Sequence, residues 1–425
     1  MNPRKLLIEI IIIIIAFSSN LQSQPIDLSN ISSQLGTTHA GKDFWFTFHP
    51  NYSGQGAGVY IFVTSKVATP VTLEVPGKFM QQKSTIPYKT IYFVMPFTSA
   101  QPFNTPNNQA PPYEQVYYGA GIHVYSDDEI VVYCASTTNG SADGFTAFPV
   151  SVLGRDYIVS SWADTFDNTT LFMPSFTSIV GVFDQTRVYV SIGGSLSTKT
   201  VGGMKQGSIN NWTLYKGDVL IIPSAGKDAD LSGTIITSTK PVAVISGNRC
   251  ANVPSTEQGC DYLIEQEIPT YAWGKSYYVS PIYTRAKNSY IKIFSKDAEN
   301  TIYRDGSMIA SLKTKGGIET EGWLTMRADQ GKPRPVVISG DRPISVSQFN
   351  PSRGDDNTGI DPFQINLVSK EQFQKEFYFT PPKVEGGIGF NLNYINIIYQ
   401  PTKEGLIPDE LEIGIYENQN LNWYK

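Results

Sequence analysis

Gly233–Ile282 reads GTIITSTKPVAVISGNRCANVPSTEQGCDYLIEQEIPTYAWGKSYYVSPI, and the reading of the fold starts from it. Thr234–Thr237 has the composition of a strand. Ser238-Thr239-Lys240-Pro241 reads as a turn, where the fixed φ of Pro241 is useful and no ladder N–H is lost. Val242–Ser246 is a second strand, apolar and β-branched. A loop rich in Gly, Asn and Pro follows, bracketed by Cys250 and Cys260. Trp273-Gly274-Lys275 then introduces an aromatic strand, Tyr277–Tyr283.

The same words recur along the chain at a period of about 110 residues, the signature of an internal repeat. An opening word, a small charged turn and an aromatic strand, occurs at Gly41–Phe46, Gly154–Val159, Gly274–Val279 and more weakly at Gln374–Phe379. A middle word alternates at Val71–Val75, Arg187–Ser191 and Tyr290–Phe294. In the first of these, valine and leucine face a core while threonine and glutamate face water. The third word, strand, polar turn, strand, begins at Gly121, Gly233 and Pro335. The closing word begins at Asp143, Asp261 and Asp361. No stretch carries a sustained helical period, and only short helical turns are expected, for example around Ser369–Phe373.

These patterns predict an all-β chain of tandem β-sandwich-like units of about 110 residues, each with about seven strands. A β-propeller, with two blades per unit, is the alternative. The expected divisions are a signal peptide over 1–23, a linker over 24–40, units over 41–153, 154–272 and 273–373, and a partial fourth unit over 374–425. The shared words at the edges imply tight packing between neighbours. The fourth unit lacks the third and closing words, which reads as an abbreviated unit or a fragment.

With 425 residues, 36 Gly, 27 Pro and 46 Tyr and Phe, the composition suits a turn-rich β protein. A net charge of −5 offers no basic footprint, so nucleic acid is not an expected partner. Arg4 and Lys5 followed by the apolar run Ile10–Phe17 read as a cleavable secretory signal, with Glu9 an oddity at its edge. The apolar run is shorter than the roughly 20 residues a membrane span requires, and no later segment reaches that length. In an exported protein the pair Cys250 and Cys260 reads as a disulfide, worth on the order of 2–3 kcal/mol in the chain-entropy model. Two reduced thiols or a metal site are the other readings, and the latter lacks a neighbouring His or further Cys. Cys134, in the apolar run Ile130–Ala135, reads as a buried thiol.

The ordered series Thr237–Gly247, Cys250-Ala251-Asn252-Val253-Pro254, Cys260–Gln266 and Trp273-Gly274-Lys275-Ser276-Tyr277 resembles the N-terminal region of the IgGFc-binding protein family. Weaker versions of these words run through 41–425. The resemblance implies a secreted or surface protein linked to mucus and adhesion, and it brings immunoglobulin Fc and mucins into view as partners. No Fc-contacting residue can be matched. The von Willebrand D and trypsin-inhibitor-like modules of the family's animal members are not found in this sequence, which weakens a mucin-like polymer role.

A catalytic constellation is hard to find. His39, His49 and His123 have no metal-ligand spacing, and no nucleophile elbow, P-loop or dinucleotide fingerprint occurs. His123, between Ile122 and Val124, is expected to face the surface. Asp127-Asp128-Glu129 and Asp355-Asp356 fall in expected hairpin turns, where Asp is favoured locally. Asp355, Asn357 and Asp361 place oxygens around Gly359 and form a weak calcium candidate without an EF-hand pattern; no cofactor is expected. Sequons stand at Asn30, Asn51, Asn139, Asn168 and Asn211, glycan acceptors if the source is a eukaryote. Tyr52, Tyr113, Tyr117, Tyr118 and Trp162 are candidate recognition aromatics, with edge packing in their own sandwiches the reading for any one of them alone. Pro102–Gln115 is the longest irregular stretch and the preferred contact loop.

The resulting expectation is a non-catalytic binding or adhesion protein with an extracellular protein or glycan ligand. The alternative is an extracellular carbohydrate-active enzyme using loop carboxylates such as Asp127, Asp143 and Asp261.

Overall fold

A computed structural model describes residues 39–424, apart from 53–57, 167–169, 375–394, 400 and 418–419. The signal segment, most of the linker, Asn30, Asn168 and the opening word of the fourth unit from residue 375 onward lie outside the described residues. So do residues 391–394 of the alternating stretch Asn391–Tyr399; its remainder, Ile395–Tyr399, is irregular rather than a strand.

The first unit holds β1 (Ala40–Phe46), β2 (Gly58–Thr64), β3 (Pro70–Val75), β4 (Phe79–Ser84), β5 (Ile91–Met95), β6 (Gln115–Tyr117), β7 (Ile122–Thr138) and β8 (Ser141–Thr146). The second holds β9 (Gly154–Ile158), β10 (Ser175–Gly181), β11 (Thr186–Ser191), β12 (Ile209–Leu214), β13 (Val219–Pro223), β14 (Ile235–Ala251) and β15 (Asp261–Gln266). The third holds β16 (Ser276–Val279), β17 (Tyr290–Ser295), β18 (Asn300–Arg304), β19 (Ser307–Leu312), β20 (Trp323–Arg327), β21 (Val336–Gly340), β22 (Ile344–Phe349) and β23 (Gln364–Asn366). A hairpin of β24 (Ile413–Glu417) and β25 (Asn420–Tyr424) follows.

The fold is all-β, and its units are sandwich-like. The first sheet runs β4-β3-β7-β2-β5, with β1 and β8 also on β7; the second runs β12-β11-β14-β10-β13, with β9 and β15 on β14. The third repeats the order as two four-stranded sheets, β16-β21-β18-β19 and β20-β17-β22-β23. Every pairing between these strands is antiparallel. Propeller blades would each need a meander of their own. Here the strands of each unit instead gather on one long strand, or on its two halves.

That long strand corrects the expected turns. β7 and β14 are each 17 residues long and continuous through the stretches read as Asp127-Asp128-Glu129 and Ser238–Pro241. Against β1, the partner of Gly41 is Ile130 and that of Asp43 is Tyr125, so Ser126–Glu129 bulge out. Against β9, the register of β14 shifts between Thr237 and Val242. A bulge bends a strand and lets it pass from one sheet layer to the other while main-chain bonding continues on either side. Only in the third unit, at Asp341–Pro343, does the strand divide, into β21 and β22.

Pairing also corrects the alignment of the middle word. β3 and β11 each lie between a hairpin partner and the first half of the long strand, and in the third unit β18 holds that place. Tyr290–Phe294, in β17, instead matches β2 and β10, which pair with the second half. Period-two alternation is common to all these strands and cannot tell one from another.

The first two units share an apolar core. Val219 and Ile221 of β13, Phe176 and Val180 of β10, and Ala243 and Ile245 of β14 pack with Phe44, Ile61 and Val132 of the first unit. The intervening residues Leu220, Ile222, Ile179, Val242 and Val244 fill the second unit's own core. A sheet apolar on both faces explains why these strands read as unbroken apolar runs. The third unit closes over Ile291, Ile293, Ile302, Ile338 and Val346.

Each opening glycine is covered by the connection that leaves its unit. A Cβ on Gly41 would lie 2.4 Å from Pro149 Cβ, one on Gly154 2.4 Å from Pro269 Cβ, and one on Gly274 2.4 Å from Ser369 Oγ. In the second and third units the following tyrosine anchors the strand. Tyr157 donates to the Val242 carbonyl (2.7 Å) and Tyr277 to that of Ile344 (2.6 Å). Gly154→Ala should therefore lower stability by about 1–3 kcal/mol through overpacking. An unchanged thermal midpoint would mean that Pro269 yields freely.

Candidate functional site

The closing strands β8, β15 and β23 converge, bringing carboxylates from separate units into one seam. Asp143 Oδ2 accepts from the N–H of Ile264 (3.0 Å) and of Gln364 (3.4 Å), one in each of the other units. Asp261 Oδ1 accepts from the N–H of Ala142 (3.0 Å) and of Tyr262 (2.7 Å). Glu267 accepts from the N–H of Ser160 (2.6 Å) and from Asn366 Nδ2 (3.2 Å). Burial raises these and the adjacent Glu265: Asp261 and Glu267 to about 7, and Asp143 and Glu265 well above the usual carboxylate range, with neighbouring carboxylates adding to the rise in Asp261, Asp143 and Glu265. The repeated closing word was the sequence signal for this seam. Asp143 and Asp261 thus do meet, but as acceptors spent on main-chain donors. Asp127 stays apart on the exposed bulge of β7. The arrangement ties units together and offers no open acid–base pair.

Two of the histidines, His49 and His123, are tied into the structure too. His49 lies between Phe176 and Tyr262, with ring centroids 4.9 Å from each. Its Nε2 donates to the Leu263 carbonyl (3.0 Å), and burial lowers its pKa to about 3. His123 points away from the core residues Ile122 and Val124, as expected, but is largely covered on that face. Its ring stacks on Trp45 at 4.1 Å, and its nitrogens lie 3.1 Å from Glu74 and 2.9 Å from Asp43.

Cys250 and Cys260 are joined in a disulfide with a Cα–Cα distance of 5.0 Å, while Cys134 is buried and its thiol pKa is raised by burial. The disulfide loop docks on the third unit. Val253 N–H donates to Ser352 Oγ (2.8 Å), and Ser352 N–H to the Val253 carbonyl (2.7 Å). Beside it lies the calcium candidate, where Asp355 and its neighbour Asp356 already meet cations. Asp355 takes a two-pronged contact from Arg327 (2.6 and 3.1 Å), and Asp356 pairs with Arg285 at 3.2 Å. A short helix, α1, spans Phe97–Ala100, and Asp355 and Asp356 sit in another, α2, at Arg353–Asp356 between β22 and β23. Asn357 caps α2 in the left-handed conformation, and the Asp361 carbonyl accepts from Asn350 Nδ2 (2.7 Å). Among the described residues no cluster of three His, Cys, Asp or Glu is placed to hold a metal.

The expected contact loop is anchored more firmly than an irregular loop would be. Its end forms β6, which pairs with β13 of the second unit. Glu114 accepts from Thr200 Oγ1 (2.9 Å) and Gly202 N–H (2.8 Å), and Arg249 donates to Thr105 (3.0 Å). Tyr113 and Tyr118 stand out at 62% and 76% exposure, whereas Tyr117 is half-buried on Phe103 and Trp162 is 4% exposed. Tyr52 is at the margin, 36% exposed. Two hollows flank the segment. One, of about 280 Å³, is bordered by Ala110, Pro111, Phe172 and Lys199; the other, of about 230 Å³, by Lys78, Gln101, Pro102 and Tyr118.

The sequons separate by burial. Asn51 is 5% exposed, and its amide donates to Ser136 Oγ (3.1 Å) while accepting from Ser141 Oγ (2.9 Å), so it has no room for a glycan and that expectation is corrected. Asn139, in a turn, and Asn211, on the edge strand β12, are exposed.

The model of the family described as IgGFc binding protein matches residues 143–425, starting at the closing word of the first unit. The chain belongs to the IgGFc-binding protein family. It is 26% identical over 249 residues to the human (Homo sapiens) IgGFc-binding protein, a match covering 57% of this chain and 4% of that relative. The chain thus spans a small fraction of the curated relative it matches. No solved structure matches. Among the described residues no helix is long and apolar enough to cross a membrane.

Proposed function

We propose that this member of the IgGFc-binding protein family is a secreted or cell-surface adhesion protein that binds an extracellular glycoprotein, mucin or immunoglobulin Fc without catalysis. The observation that carries the reading is the segment Pro102–Tyr118. It is fixed between two units, displays Tyr113 and Tyr118, and borders both hollows. Rigid, exposed tyrosines give large contact area at low entropic cost, as interface anchors do. The name of the human relative supports Fc as one ligand to try. Arg4, Lys5 and the run Ile10–Phe17 support export through a signal over 1–23, and the repeat supports units over 41–153, 154–272, 273–373 and 374–425. Asn139, Asn211 and Asn168 are the glycan acceptors we propose if the source is a eukaryote.

The test is a binding screen of the purified chain against immunoglobulin G Fc, mucins and glycan arrays. The Tyr113→Ala/Tyr118→Ala variant should bind the selected ligand about tenfold or more weakly while unfolding normally. Undiminished binding by that variant would move the contact face elsewhere.

A further inference from the structure

Lys292 sits in the middle of β17, between Ile291 and Ile293, which enter the core of the third unit. Alternation points Lys292 to the opposite face, and there the second unit closes over it. Its Nζ donates to the Ser161 carbonyl (2.8 Å), to Ser232 Oγ (2.9 Å) and to Asp230 Oδ2. The rings of Trp162, Trp323 and Phe349 stand 4.6, 5.0 and 5.7 Å from Nζ. The other oxygen of Asp230, Oδ1, accepts the N–H of Ser232 at 2.8 Å. Lys292 and Asp230 are both buried. An amine and a carboxyl group are thus held in contact within an aromatic enclosure, with an N–H on one carboxyl oxygen and a hydroxyl at the amine.

We infer that Lys292 Nζ and Asp230 Cγ condense into an amide bond that staples the second unit to the third. One proton passes from Nζ to Oδ2 along the hydrogen bond that joins them. The freed nitrogen lone pair attacks Cγ and forms the N–C bond, while the carbonyl pair moves onto Oδ1, where the Ser232 N–H stabilises the oxyanion as such donors do. A second proton leaves Nζ for Oδ2, the oxygen it already meets. The pair on Oδ1 reforms the carbonyl, the Cγ–Oδ2 bond breaks and one water departs. Nζ keeps one hydrogen as an amide. No oxidant, reductant or co-reactant is consumed, and holding both groups in contact supplies the effective concentration that a bimolecular condensation lacks. The inference is independent of the ligand reading above.

The test is peptide mapping by mass spectrometry on the purified, folded full-length chain, after reduction of the disulfide and proteolysis. The expected product is a branched peptide joining the Asp230 segment to the Lys292 segment, lighter than their sum by one water. Lys292→Arg and Asp230→Ala should each yield only linear peptides. Recovery of the two linear peptides in full yield from the wild-type chain would overturn the proposal, and that result does not depend on either variant folding.

Discussion

Lys292→Met is expected to lower stability by about 3–5 kcal/mol, the largest single-residue effect we anticipate in this chain. Methionine matches the length of the lysine stem and keeps contact with Trp162, Trp323 and Phe349, so little packing is lost. What remains is Asp230, buried and deprived of the ammonium it meets. Where an amide joins the two side chains, the same substitution also removes the staple, so the loss is at least as large. Lys292→Met/Asp230→Leu should recover a good part of the loss, because removing both members of a buried pair costs far less than removing one. Urea unfolding of the wild type and the single and double variants forms the cycle. A double variant as unstable as the sum of the singles would show that the pair contributes no coupling and that the damage is only packing.

The second large effect is a loss of stability as pH rises through neutrality. Asp261 and Glu267 are held near 7 by burial, while in the unfolded chain they titrate near 4. The folded chain therefore keeps protons that the unfolded chain releases. Their contribution is complete below about pH 4 and is lost as pH rises through about 7, on the order of 3 kcal/mol for each group. Asp143 and Glu265, shifted in the same direction, extend the loss to higher pH. His49 has the opposite sign. Its folded value of about 3 lies below the ordinary 6.5, so it lowers stability only as pH falls beneath about 6.5. Above that point the carboxylates act alone. The urea midpoint should fall between about pH 6 and pH 8, and Glu267→Gln should flatten that fall. A flat wild-type profile across this range would show that the seam carboxylates ionise freely in the folded chain.

Both effects arise where units meet, and so does most of what local sequence reading could not anticipate. Asp143, Asp261 and Asp361 begin the same word in three units, which made them visible as a set. Only the convergence of β8, β15 and β23 turned the first two into acceptors for main-chain donors of neighbouring strands. Trp162 read as a loop aromatic because its neighbours are polar, and the third unit buries it against Phe349 with ring centroids 4.8 Å apart. Asn51 read as an exposed sequon for the same reason, and Ser136 and Ser141 enclose it. Tyr113 and Tyr118 read as exposed aromatics and lie exposed.

By itself the sequence determined the class of the fold, the repeat and the family, because each rests on local information. Period-two alternation makes strands, Gly and Pro bound them, and an ordered series of words marks a lineage. That the runs Val219–Ile222 and Val242–Ile245 form a sheet buried on both faces emerged only from the structure. Tertiary structure alone decided that the polar third words bend rather than turn, since a bulge and a hairpin use the same residues and differ only in their partner strand. It also decided which of the outward-facing polar residues stay in water. Lys292 and Glu74 both alternate away from an apolar face, yet one lies beneath another unit and the other borders solvent. That difference depends on contacts between residues far apart in the chain, which no periodicity encodes.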